Sequence, residues 1–89
     1  MNKDKKWFVR VHRKDLDIEG RVTAPSPTEA FLRFVRGRKV WLKGAHVRLQ
    51  NFPGGHTYHA WPTWKAGGGT SLGDLYVARI VPEEEREGS

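Results

Sequence analysis

The sequence predicts an α+β fold in which one helix packs on a mostly antiparallel sheet of four to five strands, in the order ββαβββ. Three observations predict it. Period-two alternation opens the chain, a capped helical stripe follows, and strand-like runs separated by Gly and Pro fill the rest. At 89 residues the chain makes a single basic domain, expected over residues 1–82, with an acidic disordered tail over 83–89.

Trp7, Val9 and Val11 alternate with Phe8, Arg10 and His12, as in a strand with one buried face. Residues 14–20 are polar and turn-like, and 21–24 form a short return strand, so the chain opens with a hairpin. The run Ser26-Pro27-Thr28-Glu29 starts a helix. Ser26 fits the N-cap, Pro27 the first helical position, and Glu29 the reciprocal position of a capping box. Ala30, Phe31, Phe34 and Val35 make its apolar stripe, with Arg33 and Arg36 off it. Gly37 supplies the stop, and Arg38 and Lys39 sit favourably near the negative end of the dipole, so the helix is expected over 27–36.

Val40 and Leu42 alternate in one phase and Val47 and Leu49 in the other, so Gly44-Ala45 marks a bulge or a turn. The turn Pro53-Gly54-Gly55 separates strand-like runs at 47–52 and 56–61. Residues 65–71, with three consecutive glycines, read as a flexible loop. In 72–81, Thr70 or Ser71 fits as the cap of a short helix, but the Tyr, Val and Ile content and the closing Pro82 favour a strand. The four tryptophans are expected mostly in the core, with Trp64 the exposed one.

Charge narrows the function. Lys and Arg number 16 against 10 Asp and Glu, a net charge of +6. No carboxylate falls between Glu29 and Asp74, where Arg33, Arg36, Arg38, Lys39, Lys43, Arg48 and Lys65 all lie. A one-signed field of this kind attracts phosphate. The expected partner is a nucleic acid, RNA favoured over DNA, or else an acidic protein surface; a merely solubilising surface is the bland alternative. Trp64, beside Lys65 and the glycine loop, joins these cations as a base-stacking residue. With no cysteine, disulfides and thiolate metal sites are excluded, which suits a cytoplasmic location. No apolar run approaches the ~18–20 residues of a membrane span, and no signal-peptide core follows Met1 to Lys6. Neither a metal nor a cofactor is expected.

Four histidines are the candidate catalytic groups. His56 and His59 fall on opposite faces of a strand, with no carboxylate close in sequence to complete a metal shell. His12 belongs to the polar face of the first strand. His46 follows Lys43-Gly44-Ala45 at the phase break, inside the carboxylate-free stretch, and shares a strand face with Arg48. A histidine there can serve as general acid or base at a ribose 2′-hydroxyl, with Lys43 and Arg48 holding the phosphate. A surface histidine without chemistry is the alternative.

The run from Thr28 to Val81 resembles the HicA-type RNA-cleaving toxins. The matching features are the helix to Phe34, Gly37, Lys43-Gly44-Ala45-His46, Pro53-Gly54-Gly55, Pro62 and Gly73-Asp74-Leu75. The resemblance implies a fold like a double-stranded-RNA-binding domain, with His46 as catalytic histidine and mRNA as substrate. The chain departs from that pattern at Ala45, where a hydroxyl residue is usual, and at Arg38, where an aromatic is. The opening hairpin has no counterpart in it, and the last element reads as a strand where that family has a helix. Two other functions fit the composition: a non-enzymatic inhibitor, of the kind phages and mobile elements encode, docking on an acidic partner, and a small basic binder of a nucleotide ligand.

Overall fold

Two-residue spacing at the first reversal accounts for most of the opening sheet. In a computed structural model that describes residues 4–53 and 55–87, β1 (Lys5–Arg13) and β2 (Leu16–Ala24) pair antiparallel from Lys5 opposite Ala24 to Arg13 opposite Leu16. Lys14, at φ 50°, takes the left-handed turn between them. The return strand is therefore longer than the expected 21–24. Leu16, Ile18 and Val22 share the half-buried face, and Gly20 stands in that alternation where an apolar residue would have revealed it. A Cβ there would lie 3.0 Å from the Phe34 ring and 2.7 Å from the Arg38 guanidinium, so both side chains would have to shift.

The helix starts where its signals place it, but only half of the expected capping box forms. The Glu29 carboxylate lies 4.0 Å from Arg33 instead of bonding the Ser26 amide. α1 (Pro27–Gly37) begins with Ser26 extended at φ −152°, its hydroxyl accepting from the Glu29 amide at 3.3 Å. Ala30, Phe31, Leu32, Phe34 and Val35 are buried. Its end differs from expectation. Gly37 stays inside the helix, Arg38 is a right-handed cap, and Lys39, at φ 58°, makes the left-handed exit. The Val40 amide then donates back to the Val35 carbonyl at 3.1 Å.

Residues 38–45 form no strand, although Val40 and Leu42 alternate. Trp41 draws this segment onto the core instead, its ring 5.1 Å from Phe31 and 5.3 Å from Tyr76, and its indole nitrogen donating to the Ala45 carbonyl at 3.2 Å. Gly44, at φ 80°, is a turn rather than a bulge. The chain continues through β3 (His46–Asn51), β4 (Thr57–Ala66), β5 (Gly69–Leu72), β6 (Tyr76–Pro82) and α2 (Glu83–Glu87). The expected loop at 65–71 is in fact a hairpin: β4 runs on to Ala66 and returns as β5 through Gly67 and Gly68, both at positive φ. In the segment at 72–81, Leu72 ends β5, residues 73–75 connect, and 76–81 are strand β6, with no helix there. The tail expected to be disordered begins instead with α2, and residues 88–89 of that expectation lie outside the described residues, as does Gly54 of the expected turn.

The order is thus ββαββββα, a mostly antiparallel six-stranded sheet with two short helices. The sheet runs β2-β1-β6-β4-β3, with β5 continuing on the β6 side of β4. Trp7, Val9 and Val11 of β1, Ala78 and Ile80 of β6 and Ala60 of β4 form one buried face, and α1 covers it with Phe31, Phe34 and Val35. Of the four tryptophans only Trp7 is fully buried, its indole donating to the Ala24 carbonyl at 2.8 Å. Trp41 is half-buried, Trp61 is half-buried on the opposite face, and Trp64 is exposed as expected.

Phe34 is 5% exposed, so Phe34→Ala should cost about 3–5 kcal/mol by lost burial and the cavity left behind. Denaturant melts of the two proteins measure this; an unchanged midpoint would mean that α1 contributes little to the core.

Candidate nucleic-acid interface

Strand alternation sends every second residue to the sheet face that α1 does not cover. The register orders these residues into rows. One row reads Glu19, Arg10, Arg79 and Thr57 across β2, β1, β6 and β4. The next reads Asp17, His12, Val77, His59 and Gln50, reaching β3. Beyond it Trp61 faces Arg48, then Thr63 faces His46 on one side and Leu72 on the other, and Lys65 faces Thr70. At the opposite end Arg21, Phe8 and Val81 align, and α2 closes this end, packing on β1 and β6. Val81 is buried there, and Glu83 of α2 accepts from Arg21 at 2.8 Å.

The face has two electrostatic halves. On β2 and α2, Asp17, Glu19 and Glu83 balance Arg10 and Arg21. Arg10 donates to both Asp17 oxygens, at 2.9 and 2.8 Å; that hydrogen bond holds the Asp17 carboxyl below its usual range and raises the guanidinium. On β3, β4 and β5 the same face carries His46, Arg48 and Lys65 and no carboxylate among the described residues. Three rings run through this half: Phe52 lies 4.2 Å from His59 at 61°, and His59 lies 5.8 Å from Trp61 at 89°. Phe52 is 38% exposed, while His59 and Trp61 are half-buried.

The residues singled out by sequence fall into two groups. His46, Arg48 and Lys65 share the open face. Arg33, Arg36, Arg38, Lys39 and Lys43 lie on α1 and the loop after it, on the layer behind the sheet. Several of these have internal work. Arg33 donates to the Thr23 carbonyl at 2.7 Å and lies 3.4 Å from Asp4; Arg36 donates to the Ala45 carbonyl at 3.1 Å; Arg38 donates to the Glu19 carbonyl at 3.1 Å and stands 5.1 Å over the Phe34 ring. Lys39 and Lys43 flank Trp41 and Leu42 in a shallow hollow of about 330 Å³. Trp64 projects on the α1 side, beside Gly73, where a Cβ would lie 3.3 Å from its ring.

Sequence reasoning missed Phe52, His59, Trp61 and Arg79 as one surface. The signal was present in the His59–Trp61 alternation, but the residues become neighbours only once β4 is placed between β3 and β6. His56 precedes β4 and pairs with Glu85 at 3.0 Å, away from His59. Among the described residues no three His, Asp or Glu side chains gather in a way that would hold a metal ion, and no helix is long and apolar enough to cross a membrane. No family model, no curated protein and no solved structure matches this chain.

Proposed function

We propose that this chain is a small nucleic-acid-binding protein that takes a single-stranded segment, RNA in preference to DNA, on the open face of its sheet. The observation that carries this reading is the ring row Phe52–His59–Trp61, bordered by His46, Arg48 and Lys65 on a half-face without carboxylates. Unpaired bases stack on such rings, and flanking cations hold the phosphates. Gln50 and Thr63 stand among them with hydrogen-bonding groups suited to a ribose 2′-hydroxyl, which favours RNA.

His46 reads best as a phosphate or sugar contact. It faces Thr63, with Arg48 two residues along the same face. General acid–base cleavage needs a proton acceptor and usually a second titratable group near the scissile bond. Here His59 faces Gln50, four residues along β3 from His46, which is roughly 13 Å at strand rise. One histidine beside a guanidinium binds a phosphodiester more readily than it breaks one.

Trp61→Ala should weaken binding to a labelled single-stranded RNA by about 1–3 kcal/mol, the worth of one base–aromatic stack. Arg48→Glu should also make log affinity fall less steeply with log salt, by about 0.7 for a lost phosphate contact on a single strand. Fluorescence anisotropy across a salt series reads both, and Trp61→Ala binding as tightly as the parent would refute the assignment of this face. A second assay incubates EDTA-treated protein with the same RNA. The strand should remain intact, and His46→Ala should only weaken binding. Cleavage by the parent that His46→Ala loses would make His46 catalytic.

A further inference from the structure

A shallow hollow of about 330 Å³ opens beside the ring row, at the boundary between the two halves of the open face. Val77 supplies apolar lining, Arg79 and Thr57 stand on the row to one side, and Arg10, His12 and Asp17 line the β1–β2 side. The volume lies at the small end of ligand pockets, which suits one planar heterocycle rather than an extended molecule. We infer that this hollow is a specificity subsite for one guanine base of the bound strand. The inference rests on the single-stranded RNA reading above and deepens it.

Guanine presents two acceptors, O6 and N7, on one edge and two donors, N1–H and the N2 amine, on the other. The hollow offers the complement of both. Arg79 has no hydrogen-bond or ion-pair partner among the described residues and stands free to donate two parallel N–H groups. Asp17 lies two strands away and one row along, roughly 12 Å between backbones at normal strand spacing and rise, which leaves room for a base and its hydrogen bonds. Each Asp17 oxygen accepts one bond from Arg10 and keeps a lone pair for a base donor. Arg10 is thus a positioning residue, holding the carboxylate ionised and oriented. Val77 lies between His12 and His59 in its row, and its methyl groups give the ring an apolar floor.

Adenine fits poorly. Its N6 amine would meet the donors of Arg79, and it has no N1–H for Asp17. A pyrimidine is a single ring and spans less of the gap. The ring row begins across β6 at His59, so a base in the hollow is continuous with bases stacked on His59 and Trp61.

The test uses the full chain and labelled oligouridine strands of equal length whose central residue is U, G, A or C. The strand with central G should bind about ten- to a hundredfold tighter than the one with central A, as one bidentate base contact does. Arg79→Gln and Asp17→Asn should each collapse that ratio, while circular dichroism shows the fold retained. Equal affinity for all four strands, or a G preference that survives Arg79→Gln, would overturn the subsite and leave RNA binding on this face standing. Binding to none of the strands would overturn both.

Discussion

One helix covers one face of this sheet, and everything else in the molecule is arranged by that asymmetry. α1 is 11 residues long and lays Phe31, Phe34 and Val35 on the central strands, where Val9, Val11, Ala78, Ile80 and Ala60 complete a core with no buried polar or charged residue among those described. A domain this small has little apolar area to spare, and losing that contact would expose a large part of it. Gly20 shows how close the packing is, because Phe34 and Arg38 occupy the space a side chain would need. The second helix cannot balance the first. α2 has five residues and closes only the end of the other face near Phe8 and Val81.

The uncovered face follows from the same strands by period-two alternation. Each residue between two core positions points outward, so His12 follows Val11, Arg79 separates Ala78 from Ile80, and Trp61 follows Ala60. Core packing fixes the register, and the register fixes which outward groups become neighbours. The β2 edge and α2 carry the carboxylates that pair with Arg10 and Arg21, and the β3–β4–β5 side collects cations and rings. A charge boundary therefore crosses one continuous surface, with the hollow at Arg79 lying on it.

Much of the fold was legible in the sequence, and the exceptions have physical causes. Ser26, Pro27 and the apolar stripe announced α1 because helix signals are local. β2 was half hidden because Gly20 interrupts its alternation, where it lies against Phe34, a partner distant in sequence. The Val40–Leu42 alternation pointed to a strand, but Trp41 between them had more to gain by packing on Phe31 and Tyr76. Glycines at 67–69 read as a flexible loop, whereas two of them make the turn of a hairpin. Charge segregation marked a basic stretch but not which of its cations share a surface. Arg36 and Arg38 look free in sequence, yet they hold carbonyls of Ala45 and Glu19, while Arg79, in a run of core residues, stands free.

The two layers of cations predict different footprints, and a nuclear magnetic resonance titration of the isotope-labelled protein with a short single-stranded RNA separates them directly. The largest shifts should fall on the Trp61 indole, the His59 ring and the amides of Arg48 and Gln50, while the Trp41 and Trp64 indoles and the amides of Arg36, Lys39 and Lys43 stay nearly still. Shifts concentrated on α1 and the 38–45 loop, with the Trp61 indole unmoved, would contradict it and place the interface behind the sheet.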